Sequence, residues 1–260
     1  MENGRSSRSF PLDRAKSSRR LNLLWLLLFL RPLRPLRRVV AVWGLTFVVA
    51  NVIGSLVISI LGYAGANVVP TWVLAVSALA LWLPYMGVMF WESQKRGTGN
   101  FAKDFSLSFQ AKDLWGVPLG IASQLLLVVV VTLPFQWLFP SLFNSEAVEK
   151  RANDLFDAAH GAWIVLLVVI VVVCAPVVEE IVYRGFIQRN LGVAYGARIS
   201  VLIASFWFAA VHLQLAEFPG LFTFAVVLGI CFARTKRLGL SIVTHVAFNA
   251  TALVVMALTR

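Results

Sequence analysis

Charge is scarce in this chain. Asp, Glu, Lys and Arg make up 13% of its 260 residues, about half the usual quarter. The apolar fraction is 59%, against roughly 45–50% in soluble domains. So few polar groups cannot wrap a soluble fold of this size. Cysteine is almost missing: Cys174 and Cys231 each sit inside an apolar run with no CxxC spacing. That excludes a disulfide scaffold, and both read as small buried apolar residues. Gly and Pro number 17 and 10, ordinary usage that excludes collagen-like and low-complexity chains. No basic stripe interleaves with aromatics, so the net charge of +11 does not indicate nucleic-acid binding. Most of it is local. Residues 1–38 hold ten of the 23 Lys and Arg against two acids, Glu2 and Asp13, and so supply +8 of the +11.

What is abundant is long apolar runs. Stretches of membrane length occur at about 39–61, 71–91, 114–138, 161–182, 198–213, 219–233 and 240–258. The pattern predicts an all-α fold, a polytopic membrane helix bundle of about seven transmembrane helices. Lys95, Arg96, Lys103 and Lys112 mark one loop; Arg184, Arg189 and Arg198 mark another; Arg234, Lys236 and Arg237 mark a third. Assigning these to the cytoplasm puts the N-terminus inside a cell membrane and the C-terminus outside. Leu21–Leu30 is too short to span and reads as an N-terminal interfacial segment. Arg19 and Arg20 leave a signal peptide as the alternative, although no small-residue cleavage site follows. The chain divides into a basic tail with that segment (1–38), N-terminal membrane helices (39–150) and a C-terminal part with the chemistry (151–260). No internal repeat supports a transporter of inverted halves.

Three short places carry polar groups within apolar sequence. In APVVEEIVYRGF (175–186), Glu179 and Glu180 follow directly on a hydrophobic run. An acid near the bilayer centre costs about 2.5–3.5 kcal/mol on insertion scales, so two together imply a hydrated cavity or a site at the membrane edge. Glu180 and Arg184 are four apart and share a helix face. Glu179 points about 100° away and keeps no such partner, which suits a general base. In FWFAAVHLQ (206–214), Phe208 and His212 lie one turn apart. In LSIVTHVAFNA (240–250), His245 and Asn249 project from one face of the last helix, an arrangement able to hold an oxyanion. Alone, each could be a helix-end charge cluster or an interhelical hydrogen bonder. Together they suggest one shared cavity.

These residues bring a family to mind. EExxxR (Glu179, Glu180, Arg184), FxxxH (Phe208, His212) and HxxxN (His245, Asn249) occur in the order seen in the CPBP intramembrane proteases. That family includes the type II CAAX prenyl endopeptidases and bacterial abortive-infection and bacteriocin-immunity proteins. The sequence resembles it over about residues 155–258. The resemblance implies a membrane endopeptidase in which Glu179, helped by His212, activates a water. It implies that His245 and Asn249 stabilise the oxyanion, and that Glu180 and Arg184 orient the helix and tune Glu179. The sequence requires no cofactor. A divalent metal such as zinc is compatible, with Glu179, His212 and His245 as its ligands, though HExxH is absent. A membrane serine protease is excluded by the lack of a GxSG-like serine, and an aspartyl one by the lack of Asp in any apolar stretch.

The expected partners are the lipid bilayer and a peptide or protein substrate, a lipidated one by analogy only. The runner-up is a non-catalytic immunity or binding protein on the same fold. One constraint is geometric. A turn near 195 puts Glu179 and His212 at similar depth, but His212 and His245 start from opposite ends of a helix about 22 Å long. A single site needs a sunken turn at 214–220 or strong tilt, and requires the two imidazoles within about 12 Å, allowing for loose apo contacts.

Overall fold

A computed structural model describes residues 33–66, 68–143, 153–154, 159 and 161–259. The expected interfacial segment at 21–30 and most of residues 139–160, between the third and fourth apolar stretches, lie outside the described residues. Among these, every regular element is helical: α1 (Leu33–Ile60), α2 (Thr71–Arg96), a single turn α3 (Phe101–Asp104), α4 (Ala111–Leu138), α5 (Trp163–Val211), α6 (Phe218–Thr235) and α7 (Gly239–Leu258). Six of them are long and apolar enough to cross a membrane. Their outward faces carry large apolar side chains, such as Leu45, Ile60, Leu83 and Val130. Lipid can cover such faces; water cannot. The protein is a multi-pass membrane bundle.

Two details differ from the sequence expectation. The first helix starts at Leu33, inside the basic tail, because Pro35 is tolerated in a first helical turn and Arg38 has a partner in the buried Glu92 of α2. The fourth and fifth apolar stretches form one helical path of 49 residues, Trp163–Val211, about twice what a membrane needs. It is not straight. Gly196 has φ 77° and ψ 169°, a left-side conformation that glycine adopts without strain. Residues on either side of it then meet. The Tyr183 and Phe208 rings lie 5.1 Å apart, centroid to centroid, and Gly192 faces Ser200. The path is therefore an antiparallel hairpin folded at Gly196, and its two legs restore the seven expected segments.

The last helix is held from two sides. At its start, Arg237 grips Asp113 of α4 with both guanidinium nitrogens, 2.6 and 2.9 Å from the carboxylate oxygens. The Leu238 amide donates to the Ser106 carbonyl at 2.9 Å. Along its length, Gly116 and Gly120 of α4 lie directly on α7. A Cβ added at Gly120 would sit 2.3 Å from the Thr244 carbonyl oxygen and 2.7 Å from the Ala247 methyl. This is a small-xxx-small contact, which lets two backbones approach closely in lipid. It sets the position of α7 at the turn that carries His245.

Gly120→Ala should push α7 off α4, since the clash is with backbone. A loss of about 1–3 kcal/mol is expected from overpacking, read as a lower thermal unfolding midpoint in detergent. An unchanged midpoint would show that the contact relaxes freely.

Candidate active site

Glu179 and Glu180 are neighbours in sequence with opposite surroundings. Helical geometry turns them to different faces, and the packing of α5 does the rest. Glu180 has no exposure and Arg184 1%. Their Nη1–Oε1 distance is 2.9 Å. The second guanidinium arm, Nη2, donates to the Ala225 carbonyl of α6 at 2.9 Å, and the Arg184 guanidinium carbon stands 4.9 Å from the centre of the Phe208 ring. A second oxygen contact ties in α7: His245 Nδ1 lies 3.0 Å from the same Glu180 Oε1. One buried carboxylate thus joins α5 to α7 directly, and to α6 through Arg184.

Glu179 keeps a side-chain exposure of 27%. It lines a cavity of about 270 Å³ together with His212, Tyr85, Asn51, Trp82 and Tyr183. Its Oε2 lies 3.7 Å from His245 Nε2, so the imidazole of α7 spans both acids. His212 ends the second leg of α5, where its Nδ1 is 2.7 Å from the Phe208 carbonyl oxygen. A carbonyl only accepts, so Nδ1 carries the proton and Nε2 of the neutral ring is the acceptor. The hairpin at Gly196 brings Glu179 and His212 into the same cavity, as the symmetry of their spacing predicts.

Phe208 resolves the geometric constraint on the two histidines. Its ring centroid is 4.8 Å from that of His212 and 5.9 Å from that of His245. The imidazoles therefore lie within about 11 Å of each other, inside the limit set above. Phe224 of α6 closes the far side of His245 at 5.3 Å and stacks on Phe248 at 3.6 Å.

Asn249 behaves differently from the rest. Its Nδ2 donates to the Val171 carbonyl at 2.8 Å. Val171 lies in the wide π-helical turn Val169–Cys174, where shifted backbone bonding offers a carbonyl to an outside donor. Asn249 ties α7 to α5 rather than lining the cavity. Glu179, Glu180, Arg184, His212 and His245 do come together, with Phe208 between them. Sequence reasoning missed Tyr85, Asn51 and Trp82, which α1 and α2 place on the opposite wall. A polar residue within the first two apolar stretches was the available signal. It also missed the G116xxxG120 spacing.

The donor set bears on a metal. Among the described residues no three of His, Cys, Asp and Glu are grouped closely enough to hold an ion. Glu179, His212 and His245 do not fit a three-ligand centre as they stand, and no step below is routed through one.

Residues 161–251 match the family model of the Rce1-like type II CAAX prenyl endopeptidases. No curated protein and no solved structure matches the chain. The matched segment runs from the start of α5 into α7 and holds all three motifs, which bears out the resemblance read from them. The match covers 91 of the 260 residues, in the C-terminal part, while α1–α4 lie outside it.

Removing one member of the buried pair should be costly. Arg184→Met leaves the Glu180 carboxylate buried without its cation, an effect of about 3–5 kcal/mol, and should sharply lower the folded protein recovered from membranes. The double variant Arg184→Met with Glu180→Gln removes the uncompensated charge and should recover much of the yield. Equal losses in both would show that the charge is not the cause.

Proposed function

We propose that the protein is an intramembrane endopeptidase that hydrolyses a peptide bond of a membrane-associated substrate with a water activated by Glu179. The observation that supports this most is the asymmetry of the two acids. Glu180 is committed to Arg184 and His245, and Glu179 alone faces the cavity. In the proposed reaction the Glu179 carboxylate takes a proton from water as its oxygen bonds to the scissile carbonyl carbon. His212 supports that water through its unprotonated Nε2. The carbonyl oxygen becomes an oxyanion, for which His245 Nε2, when protonated, is the donor at hand. Glu179 then passes its proton to the leaving nitrogen as the C–N bond breaks. His245 Nδ1 stays on Glu180, which fixes the ring.

The cavity walls are largely apolar and aromatic, suited to a hydrophobic or lipidated segment near the scissile bond. A prenylated C-terminal peptide is the substrate class to test first, in keeping with the family. The basic loops support a cytoplasmic N-terminus in the cell membrane. Asn249 supports the site by positioning α7, and its spare amide hydrogen leaves an oxyanion role compatible with that tie.

Glu179→Gln should lower cleavage of a farnesylated peptide by about 10²–10⁴-fold, the usual contribution of general base catalysis, with unchanged accumulation in membranes. Cleavage that survives this change would refute Glu179 as the base, and no cleavage by the parent protein would favour a binding protein on the same fold. Asn249→Ala should lower the thermal midpoint, in keeping with about 1 kcal/mol for a lost hydrogen bond. A drop in kcat at constant midpoint would instead assign Asn249 to the oxyanion.

A further inference from the structure

A second cavity, of about 360 Å³, lies away from the acids, at the end of the bundle where three basic loops meet. Arg189 donates to the Asp104 carbonyl and to the Ser106 hydroxyl. Ser106 in turn receives the Leu238 amide. The turn after α2, the first leg of α5 and the α6–α7 turn therefore converge here. Arg189 and Lys236 line this cavity and no carboxylate does. Ser106 and Ser200 add hydroxyls, and Gln188 forms part of the wall.

Two observations set the place apart from an ordinary basic surface. The first is backbone strain. Among the described residues three other than glycine have positive φ, and two of them, Ser106 at 57° and Lys236 at 56°, line this cavity. Lys236 occupies the left-handed position after α6, where glycine is the usual residue. A lysine there is less favourable than glycine, and this one is part of the cavity lining. The second is charge: the lining sets Arg189 and Lys236 beside hydroxyls and holds no acid to neutralise them.

We propose that this cavity binds the phosphodiester headgroup of an anionic phospholipid, with phosphatidylglycerol as its probe. The two cations take the phosphate through charge-assisted hydrogen bonds, and the Ser106 hydroxyl, which accepts from Arg189, can donate to it. Val193, 89% exposed at the rim, offers an apolar contact to the acyl chains. The cavity lies where the Gly196 hairpin of α5 meets the end of α6, both helices long and apolar enough to cross a membrane.

The full chain in phosphatidylcholine nanodiscs, with and without added phosphatidylglycerol, tests this. Phosphatidylglycerol should raise the thermal midpoint of the parent protein by a few degrees. Lys236→Gly should abolish that rise while being at least as stable as the parent in phosphatidylcholine alone, because it relieves the left-handed lysine. Arg234→Gln removes the same charge from the same turn but outside the cavity, and should keep the rise. No rise in the parent, or an equal rise in Lys236→Gly, would overturn the site. Loss of the rise in Arg234→Gln would reduce it to general surface charge and overturn it too. Inorganic phosphate added to phosphatidylcholine discs separates the sources. An equal rise there would keep the phosphate site and overturn its assignment to lipid.

Discussion

A carboxylate without solvent contact, paired with a guanidinium equally removed from water, sits at the centre of this bundle. Burying two ions costs several kcal/mol each, and their attraction offsets that only when the remaining hydrogen-bonding groups are also met. Here the requirement organises the fold. Arg184 uses one arm on Glu180 and the other on α6, and its flat face lies against Phe208 from the second leg of α5. Glu180 also accepts from α7 through His245. The pair keeps these contacts only when the helices are all in register, and even then Glu180 Oε2 and Arg184 Nε have no partner. In lipid, where apolar side chains gain nothing by leaving the surrounding hydrocarbon, such directional contacts and close packing of small residues set helix positions.

The same pair separates two chemically identical neighbours. Glu180 is held by its partners in a structural role. Glu179, one helical step on, faces a cavity that can hold water and a substrate segment. His245 connects them, with one nitrogen toward each acid. Its ring orientation is thus inherited from the buried pair, and disturbance of Arg184 would reach Glu179 through Glu180 and His245. Phe208 contributes in another way: its ring contacts Arg184, Tyr183 and both imidazoles, so it spaces the parts of the site without reacting.

Much of this could be read from spacing. The i, i+4 separation of Glu180 and Arg184 gave their pairing, and the 100° step gave the different outlook of Glu179. The equal distances of Glu179 and His212 from residue 195 anticipated the hairpin, although the sharp turn at Gly196 joins two expected helices into one path. What periodicity could not show was contact between segments far apart in sequence. Tyr85 and Asn51 reach the cavity only because α1 and α2 pack beside α5. Asn249 has the spacing of an oxyanion donor, yet Val171, 78 residues away, takes its amide. The start of α1 was misplaced because a run of arginines reads as solvent-exposed tail, whereas the buried Glu92 admits Arg38 to the helix.

The hairpin at Gly196 has a consequence for the order in which the site is assembled. Glu179 and His212 belong to one contiguous element, so their approach needs only a local closure during biosynthesis. His245 arrives with the last helix, which docks onto glycines of α4 made long before. Until that helix is inserted, the buried acid lacks its imidazole and the ring that spans both carboxylates is missing. The nascent chain therefore passes through the membrane-insertion machinery, among other unfolded segments, before this cluster of acids and imidazoles is complete.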